Sequence, residues 1–256
     1  MNYVEREYWE KLWIHKMRRK EILIPNKSDP MVRLIEKHIP NGTGTEEAFE
    51  IGCGPCGYLA YVGIKKNYII NGIDYSSTID ENLIEWLHRK KARVGQIRQA
   101  DFFKDVLSKR YDFVFSLGFV EHFDNFMKVV RMHDKYVKEN GYLVITAPNY
   151  RGAINYIWNK LFNPIALGRH NVNSMRPDLW AYALERKGYQ IIWKGYFGGF
   201  ALWDDDPVES RNKVKNFTMK QIRKVIKDNL ELKSFRFWAQ YCGVVARKKY
   251  ENGCGE

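Results

Sequence analysis

The chain has 256 residues, a formal net charge of +12 and 45% hydrophobic residues. This apolar content is enough for a substantial core and excludes a largely disordered chain, and no apolar run approaches the roughly 18 residues that a membrane-spanning helix needs. The positive charge is compatible with an anionic substrate, with nucleic acid or with an anionic membrane surface, although a lysine-rich solvated surface explains it equally well.

Residues 1–40 are expected to form a helical extension before the main domain. A helix is predicted over Tyr3–Lys20, in which Trp9 and Trp13 form one stripe and Tyr8 belongs to a neighbouring one. Such a stripe packs against the rest of the protein, or it covers a ligand as a lid. This segment has no apolar stretch typical of a signal peptide, and the four scattered cysteines form no disulfide framework, so we expect a cytoplasmic protein.

Strands and helices alternate through the main domain, residues 41–256. Alternation at this spacing predicts right-handed βαβ units and a parallel sheet. The strands are predicted at Ala48–Ile51, Asn67–Ile73, Gly95–Ala100, Tyr111–Leu117, Tyr142–Thr146, Tyr189–Trp193 and Phe235–Arg247. The helices are predicted at Met31–His38, Tyr58–Gly63, Ile79–Lys90, Phe126–Lys138, Met175–Lys187 and Thr218–Asn229.

A glycine-rich turn joins the first strand to the helix that follows it. Gly52, Gly54 and Gly57 let a ligand approach the backbone closely, and a helix that starts there presents free N–H groups. The turn is therefore expected to hold a nucleotide-like ligand. Cys53 and Cys56 have the spacing of a metal-binding pair, but no second pair or nearby histidine completes a site, so we expect no metal.

Acidic residues follow the second and third predicted strands. Asp74 lies 22 residues after Gly52, where a carboxylate can accept hydrogen bonds from both hydroxyl groups of a ribose. Alternatively, Asp74 caps the next helix. Asp101 precedes Phe102, and this pair can bind the amino group of an adenine and offer it an aromatic contact, or can serve as a helix cap and a core residue.

Two less regular stretches, around 150–180 and 197–230, are expected to be insertions on the substrate side of the sheet. Ligands of α/β proteins bind at the carboxyl ends of the strands, where these stretches would lie. The glycine- and aromatic-rich segment Gly195–Trp203 is expected to be a loop at the mouth of a pocket. The three acids at 204–206 are expected to form a solvated turn, because adjacent side chains cannot all converge on one ion.

Glu50 before the glycine turn, Asp74, Asp101 and the end of strand four together resemble class I S-adenosylmethionine-dependent methyltransferases, over roughly Phe49–Asn149. The resemblance implies an α/β fold, a Rossmann-like three-layer sandwich with a seven-stranded, mostly parallel sheet of order 3-2-1-4-5-7-6 and an antiparallel strand seven. It also implies S-adenosylmethionine as cofactor. The residues expected to contact it are Glu50, Gly52, Cys53, Gly54, Gly57, Asp74, Tyr75, Asp101, Phe102, Ser116 and Leu117.

The chemistry that this resemblance implies is methyl transfer from a sulfonium, an in-line displacement in which the enzyme mainly aligns donor and acceptor. A base is needed only when the acceptor must lose a proton early. His122 follows the fourth strand and is the candidate base, since an unperturbed histidine titrates near neutrality, with packing or capping as its alternative role. The candidate substrate contacts are Tyr8, Tyr150, Arg151, Arg169 and His170, of which the arginines suit a phosphate or carboxylate.

The expected function is methyl transfer to an O or N atom of a small metabolite or sugar precursor, including anionic and phosphorylated ones. The segment from 147 to 200 also resembles, less specifically, bacterial methyltransferases of small molecules and surface glycans. An RNA methyltransferase is the alternative that the charge favours, but strand four ends in Ser116–Phe119 without the Asn/Asp-Pro-Pro-Tyr signature, so we expect no nucleic-acid partner. The glycine spacing equally fits an NAD-dependent oxidoreductase. A non-catalytic binding protein and a homodimer through the N-terminal helix also stay open.

Overall fold

The computed structural model describes residues 6–18, 22–106, 108–200, 218, 221 and 234–249. Apart from residues 218 and 221, the predicted helix Thr218–Asn229 lies outside the described residues, as do the acids at 204–206 and most of the predicted insertion at 197–230. No helix among the described residues is long and apolar enough to cross a membrane.

One seven-stranded sheet forms the centre of the fold. Its strands are Glu47–Ile51 (β1), Ile69–Asp74 (β2), Arg93–Gln99 (β3), Tyr111–Leu117 (β4), Val137–Pro148 (β5), Tyr189–Phe200 (β6) and Ala239–Lys248 (β7). They are ordered β3-β2-β1-β4-β5-β7-β6; β1 to β5 pair in parallel, and β7 runs antiparallel to both of its neighbours. The predicted strand order and the antiparallel seventh strand are confirmed.

Helices cover both faces of this sheet. They are Arg6–Arg18 (α1), Pro30–His38 (α2), Gly57–Lys65 (α3), Glu81–Arg89 (α4), Phe126–Met132 (α5), Ala153–Phe162 (α6), Pro164–Gly168 (α7) and Pro177–Glu185 (α8). Successive strand residues face opposite sides: Ala48 packs in a cluster with α2, α3 and α4, and Phe49 packs in a second cluster with α5 and α8. The predicted three-layer sandwich is therefore confirmed.

Local sequence explains where two of these helices begin. Oδ1 of Asp29 accepts the N–H of Met31 at 2.8 Å, and Pro30 occupies the first helical position of α2, where its missing N–H costs nothing. Oδ1 of Asp80 accepts the N–H of Leu83 at 3.0 Å and caps α4. The cap of α4 is thus Asp80, which leaves Asp74 available for another role.

The helix predicted over Phe126–Lys138 is wrong in its second half. A 3₁₀ turn replaces it over His133–Tyr136, and β5 already begins at Val137. Val137 is fully buried and pairs with Tyr111, while Asn140 has a φ of +63° where the register between β4 and β5 shifts. The Asn-Gly pair therefore marks an irregularity inside a strand and not the end of a helix.

The loop predicted at Gly195–Trp203 is wrong as far as Phe200, because β6 continues through it and pairs with β7. Gly195 and Gly198 have φ values of +151° and +94°, so the strand bends and changes register here without losing its partner. Phe197 consequently packs in the core and does not lie at the mouth of a pocket.

Buried asparagines fix the segment that follows β5. Nδ2 of Asn149 and Nδ2 of Asn155 both donate to the carbonyl oxygen of Ala239, each at 3.0 Å. One turn later in α6, Nδ2 of Asn159 donates to the carbonyl oxygen of Asn155 at 2.8 Å. These hydrogen bonds tie the segment around 150–180 to the start of β7, at the carboxyl edge of the parallel strands.

Candidate active site

The turn between β1 and α3 is closed by backbone hydrogen bonds to β2. The N–H groups of Gly52 and Cys53 both donate to the carbonyl oxygen of Ile73, at 2.8 and 3.1 Å. Gly52 has a φ of +73°, a conformation that residues with a side chain rarely adopt. A Cβ on Gly54 would lie 2.9 Å from Nε1 of Trp13, so only glycine fits beneath that ring. The turn is therefore fixed at the carboxyl edge of the sheet.

The two cysteines of this turn are buried free thiols. A hydrogen bond with Cys56, followed by burial, raises the pKa of the Cys53 thiol well above its usual value. Both side chains pack in the same apolar cluster as Leu59. Gly57 begins α3, and a Cβ there would meet the carbonyl oxygen of Leu23 at 2.6 Å. Any contact of Cys53 or Gly57 with a ligand would therefore be made by backbone atoms.

Glu50 carries a buried oxygen without a partner near the end of β1. Its side chain is 4% exposed, and Oε2 has no hydrogen-bond partner among the described residues. Burial, with smaller contributions from Cys56 and Asp74, raises the pKa of Glu50 well above the usual carboxyl value. Because a buried polar atom is costly when unsatisfied, an N–H or ammonium group of a ligand would stabilise this position.

Asp74, the last residue of β2, is held by two backbone N–H groups. Its Oδ1 accepts from Ser76 and its Oδ2 accepts from Gly54, both at 2.8 Å. Burial raises the pKa of Asp74, and these hydrogen bonds oppose that shift. Each carboxylate oxygen has a further lone pair, so the two oxygens together suit the paired hydroxyl groups of a ribose.

The side chains of Asp101 and Phe102, although adjacent in sequence, lie in different surroundings. Oδ1 of Asp101 accepts the N–H of Phe103 at 2.9 Å and so caps a turn after β3. The Phe102 ring is 5% exposed and packs against His133. The exposed rings at this edge are those of Tyr75 and Phe103, at 51% and 40%. Contacts of Asp101, Phe102 and Tyr75 with an adenine stay a prediction.

Ser116, near the end of β4, is bonded to a buried histidine that the sequence analysis missed. Nε2 of His133 lies 2.9 Å from Oγ of Ser116, and its Nδ1 lies 2.8 Å from the carbonyl oxygen of Val129. Burial lowers the pKa of His133 to about 4. The only signal for this residue was a histidine on the apolar face of a predicted helix. The backbone contacts expected of Ser116 and Leu117 stay a prediction.

Beyond β4, a 3₁₀ turn over Val120–His122 places Glu121 and His122 beside His170. Nε2 of His122 lies 3.8 Å from Oε1 of Glu121, and the ring centroids of the two histidines are 4.9 Å apart. Burial, and then the charge of His170, lowers the pKa of His122 to about 3, against the opposing effect of two backbone carbonyl groups. Burial raises the pKa of Glu121 to about 8. His122 is therefore neutral at physiological pH and a weak base.

Helix α1 lies across this edge and contacts the β2 side of the site. Oε1 of Glu10 accepts the hydroxyl hydrogen of Ser77 at 2.9 Å. The Arg6 guanidinium lies 5.1 Å from the centroid of the Tyr75 ring. Together with Trp13 above Gly54, these contacts hold α1 over the glycine turn.

The same helix also contacts the β4 side. The Trp9 ring packs edge-on against His122 at 5.0 Å, and the Arg169 guanidinium lies 4.1 Å from the centroid of the Tyr8 ring. Tyr150 is buried, and its ring packs edge-on against His170 at 4.8 Å. Four of the five predicted substrate contacts, Tyr8, Tyr150, Arg169 and His170, therefore come together around His122.

Arg151, the fifth predicted substrate contact, lies next to Tyr150 in sequence but is not seen to join that group. It is partly exposed, and its charge opposes the rise that burial causes in the pKa of Tyr196. The structure thus relates Arg151 to β6, and its contact with a substrate stays a prediction.

Comparison with known proteins agrees with this architecture. Residues 49–145 match a family model described as a methyltransferase domain. No curated protein matches the chain by sequence. The structure is similar to a SAM-dependent methyltransferase from Archaeoglobus fulgidus, at 22% identity and a TM-score of 0.52, over 84% of this chain and 92% of that one.

Two further solved structures are similar in fold and differ in substrate. The first is a geranyl diphosphate C-methyltransferase from Streptomyces coelicolor with bound Mg²⁺, geranyl diphosphate and S-adenosyl-L-homocysteine (13% identity, TM-score 0.56, 94% of this chain and 84% of that one). The second is magnesium protoporphyrin IX methyltransferase from Synechocystis with bound S-adenosyl-homocysteine (13% identity, TM-score 0.56, 95% and 97%). At these identities the likeness establishes the fold alone.

Proposed function

We propose that the chain is a class I S-adenosylmethionine-dependent methyltransferase and that it methylates an oxygen or nitrogen atom of a small polar acceptor. The observation that carries the proposal is the group Tyr8, His122, Tyr150, Arg169 and His170, which converges beyond β4 and beside the glycine turn. One guanidinium among aromatic rings and imidazoles suits a compact acceptor with an anionic or hydroxyl group.

The residues on the β1 and β2 side fit the cofactor. The unsatisfied Oε2 of Glu50 would accept its ammonium group, and Asp74 would accept its ribose hydroxyl groups. The glycine turn would let it approach the backbone. When bound, S-adenosylmethionine supplies an electrophilic methyl group on a sulfonium.

The acceptor side would act mainly by alignment. Arg169 would bind an anionic part of the acceptor, and the rings of Tyr8 and Trp9 would exclude water from it. His122 is our candidate for accepting a proton, but a pKa of about 3 gives it little affinity for one. This favours acceptors that are anionic or weakly basic, or an oxygen whose own pKa is lowered by a further group.

The acceptor class can be tested with tritiated S-adenosylmethionine and a fractionated cell extract. We expect labelled product in the small-molecule filtrate and none in the purified RNA fraction. Arg169→Gln should reduce that label about tenfold or more, because a charge-assisted hydrogen bond contributes about 1.5–3 kcal/mol. The matched control is Arg89→Gln, at an exposed arginine of α4. Label in RNA alone would contradict the proposal and favour the RNA methyltransferase.

A cytoplasmic location is part of the proposal. The free thiols of Cys53, Cys56 and Cys242 support it, since a reducing compartment preserves them.

We also propose that α1 acts as a lid. Trp13→Ala should speed dissociation of S-adenosylhomocysteine about 30-fold, because truncating a partly buried tryptophan removes roughly 2 kcal/mol of apolar contact. Stopped-flow fluorescence would measure the rate. Ile14→Ala is the control on the same helix, since Ile14 is 39% exposed. Equal dissociation rates for the two variants would mean that α1 is only packing.

A further inference from the structure

We propose that Glu121, His122 and His170 form a binding site for a divalent transition-metal ion. The sequence predicted no metal, because no second cysteine pair or nearby histidine completes a site with Cys53 and Cys56. The fold brings the two histidines together: the N–H of Asn171 donates to the carbonyl oxygen of Glu121 at 2.7 Å, which fixes the segment of His170 beside the end of β4.

The three side chains have the spacing that one ion requires. One ligand atom from each lies within 4.8 Å of the others, and the pair Nε2 of His122 and Oε1 of Glu121 is separated by 3.8 Å. Metal–ligand bonds of about 2.0–2.2 Å place neighbouring ligand atoms roughly 3–3.5 Å apart. Side-chain rotations that move each ligand atom by about 1 Å or less would therefore bring all three to bonding distance of one ion.

Both histidines are oriented as metal ligands are. Nδ1 of His122 lies 3.1 Å from the carbonyl oxygen of Arg169, and Nδ1 of His170 lies 2.6 Å from the carbonyl oxygen of Ala166. Donation from Nδ1–H to a carbonyl fixes the neutral tautomer whose Nε2 carries the lone pair. Such a hydrogen bond from the non-ligating nitrogen is the usual support of a metal-bound imidazole.

Glu121 supplies an independent observation. Its side chain is 1% exposed, and its Oε2 has no hydrogen-bond partner within the described part of the chain. The other oxygen, Oε1, lies 3.8 Å from Nε2 of His122, an imidazole that is neutral and gives it no compensating charge. A buried carboxyl group with an unused oxygen is expensive, and a metal ion would satisfy it.

The donor set indicates the class of ion. Two imidazoles and one carboxylate suit Fe²⁺, Mn²⁺, Co²⁺ or Zn²⁺ better than Ca²⁺ or Mg²⁺, which prefer oxygen ligands. Three protein ligands leave positions for an outside oxygen. In a role that rests on the proposed function, these positions would take an oxygen atom of the methyl acceptor and lower its pKa.

The test is a titration of the full-length protein with Co²⁺ after treatment with EDTA. Wild type should bind one Co²⁺ per chain, with visible d–d bands and without the near-ultraviolet band of a cobalt–thiolate bond. Glu121→Gln and His170→Gln should each weaken binding by roughly tenfold or more, since loss even of an outer-shell partner costs about 10–100-fold. His88→Gln, at an exposed histidine, should bind as wild type does.

Melting curves in EDTA, and binding of S-adenosylhomocysteine in EDTA, would be recorded for every variant. They show that a variant folds, and they test the cofactor site separately from the metal site. No stoichiometric Co²⁺ binding by wild type would overturn the proposal. Binding that persists in both Glu121→Gln and His170→Gln, or that shows a thiolate band from Cys53 and Cys56, would overturn it as well.

Discussion

Replacing Asp74 by asparagine is expected to weaken the binding of S-adenosylhomocysteine by roughly 100-fold or more, because charge-assisted hydrogen bonds contribute about 1.5–3 kcal/mol each and two are lost. Both carboxylate oxygens already accept backbone N–H groups, from Gly54 and Ser76. An amide keeps one oxygen and directs an NH₂ group at one of these donors. The variant therefore loses ribose contacts and also loosens the glycine turn. Isothermal titration calorimetry would measure the effect.

The matched control is Asp112→Asn. Oδ2 of Asp112 also accepts a backbone N–H, that of Glu47 at 2.8 Å, but it lies at the start of β4, on the opposite edge of the sheet. We expect this variant to bind the ligand as wild type does. If the two variants lost affinity equally, the effect would come from the stability of the sheet, and the ribose assignment would be wrong. Titration of wild type with NADH in place of the methyltransferase ligand should give no binding heat.

Glu50 is expected to make cofactor binding dependent on pH. Burial raises the pKa of Glu50 in the free protein, whereas a bound ammonium group would favour the ionised carboxylate and lower that pKa. Binding should therefore release a proton, and the affinity for S-adenosylhomocysteine should rise with pH above the ordinary carboxyl range. Glu50→Gln should weaken binding at neutral pH by roughly 10–100-fold, since it removes a charged hydrogen-bond partner, and should flatten the pH profile.

The free protein provides the control for this second prediction. A carboxyl group whose pKa is raised on folding contributes stability that is fully present below its unfolded value and is lost as the pH rises through its folded value. Wild type should thus lose more stability than Glu50→Gln as the pH rises from the acid side, as melting temperatures would show. A wild-type affinity that is independent of pH would rule out the ionised Glu50 as the partner of the ammonium group.

The placement of the residues around β1 and β2 could be predicted from the sequence because its signals are local. A glycine turn directly after a strand, and an acid at the end of the next strand, are brought together by one βαβ unit. Asp74 and the glycines lie where the pattern placed them, and the structure adds the unsatisfied oxygen of Glu50. The sequence could not show whether the Phe102 ring is buried in the core or lines the pocket, since an aromatic residue after a strand serves either role equally well.

The half around β4 could not be predicted in the same way because its contacts are long-range. Tyr8 meets Arg169, and His122 meets His170, only because α1 crosses the sheet edge and the asparagines of α6 hold the segment after β5 in place. The sequence identified these side chains as candidates one by one. It did not contain the distances that turn Glu121, His122 and His170 into a cluster.

The position of β7 has a consequence for the order in which the molecule folds. β7 is inserted between β5 and β6, so that Tyr142 pairs with Arg247, and β6 has β7 as its neighbour at the end of the sheet. The pairs β1–β2, β2–β3 and β4–β5 join strands that are near in sequence and should form early, while the pairing of β7 with β5 is long-range and should form late. We expect a refolding intermediate that binds the adenosyl ligand before it can bind the molecule to be methylated. Binding of the adenosyl ligand would then not be enough to show that a refolded sample has regained its full native structure.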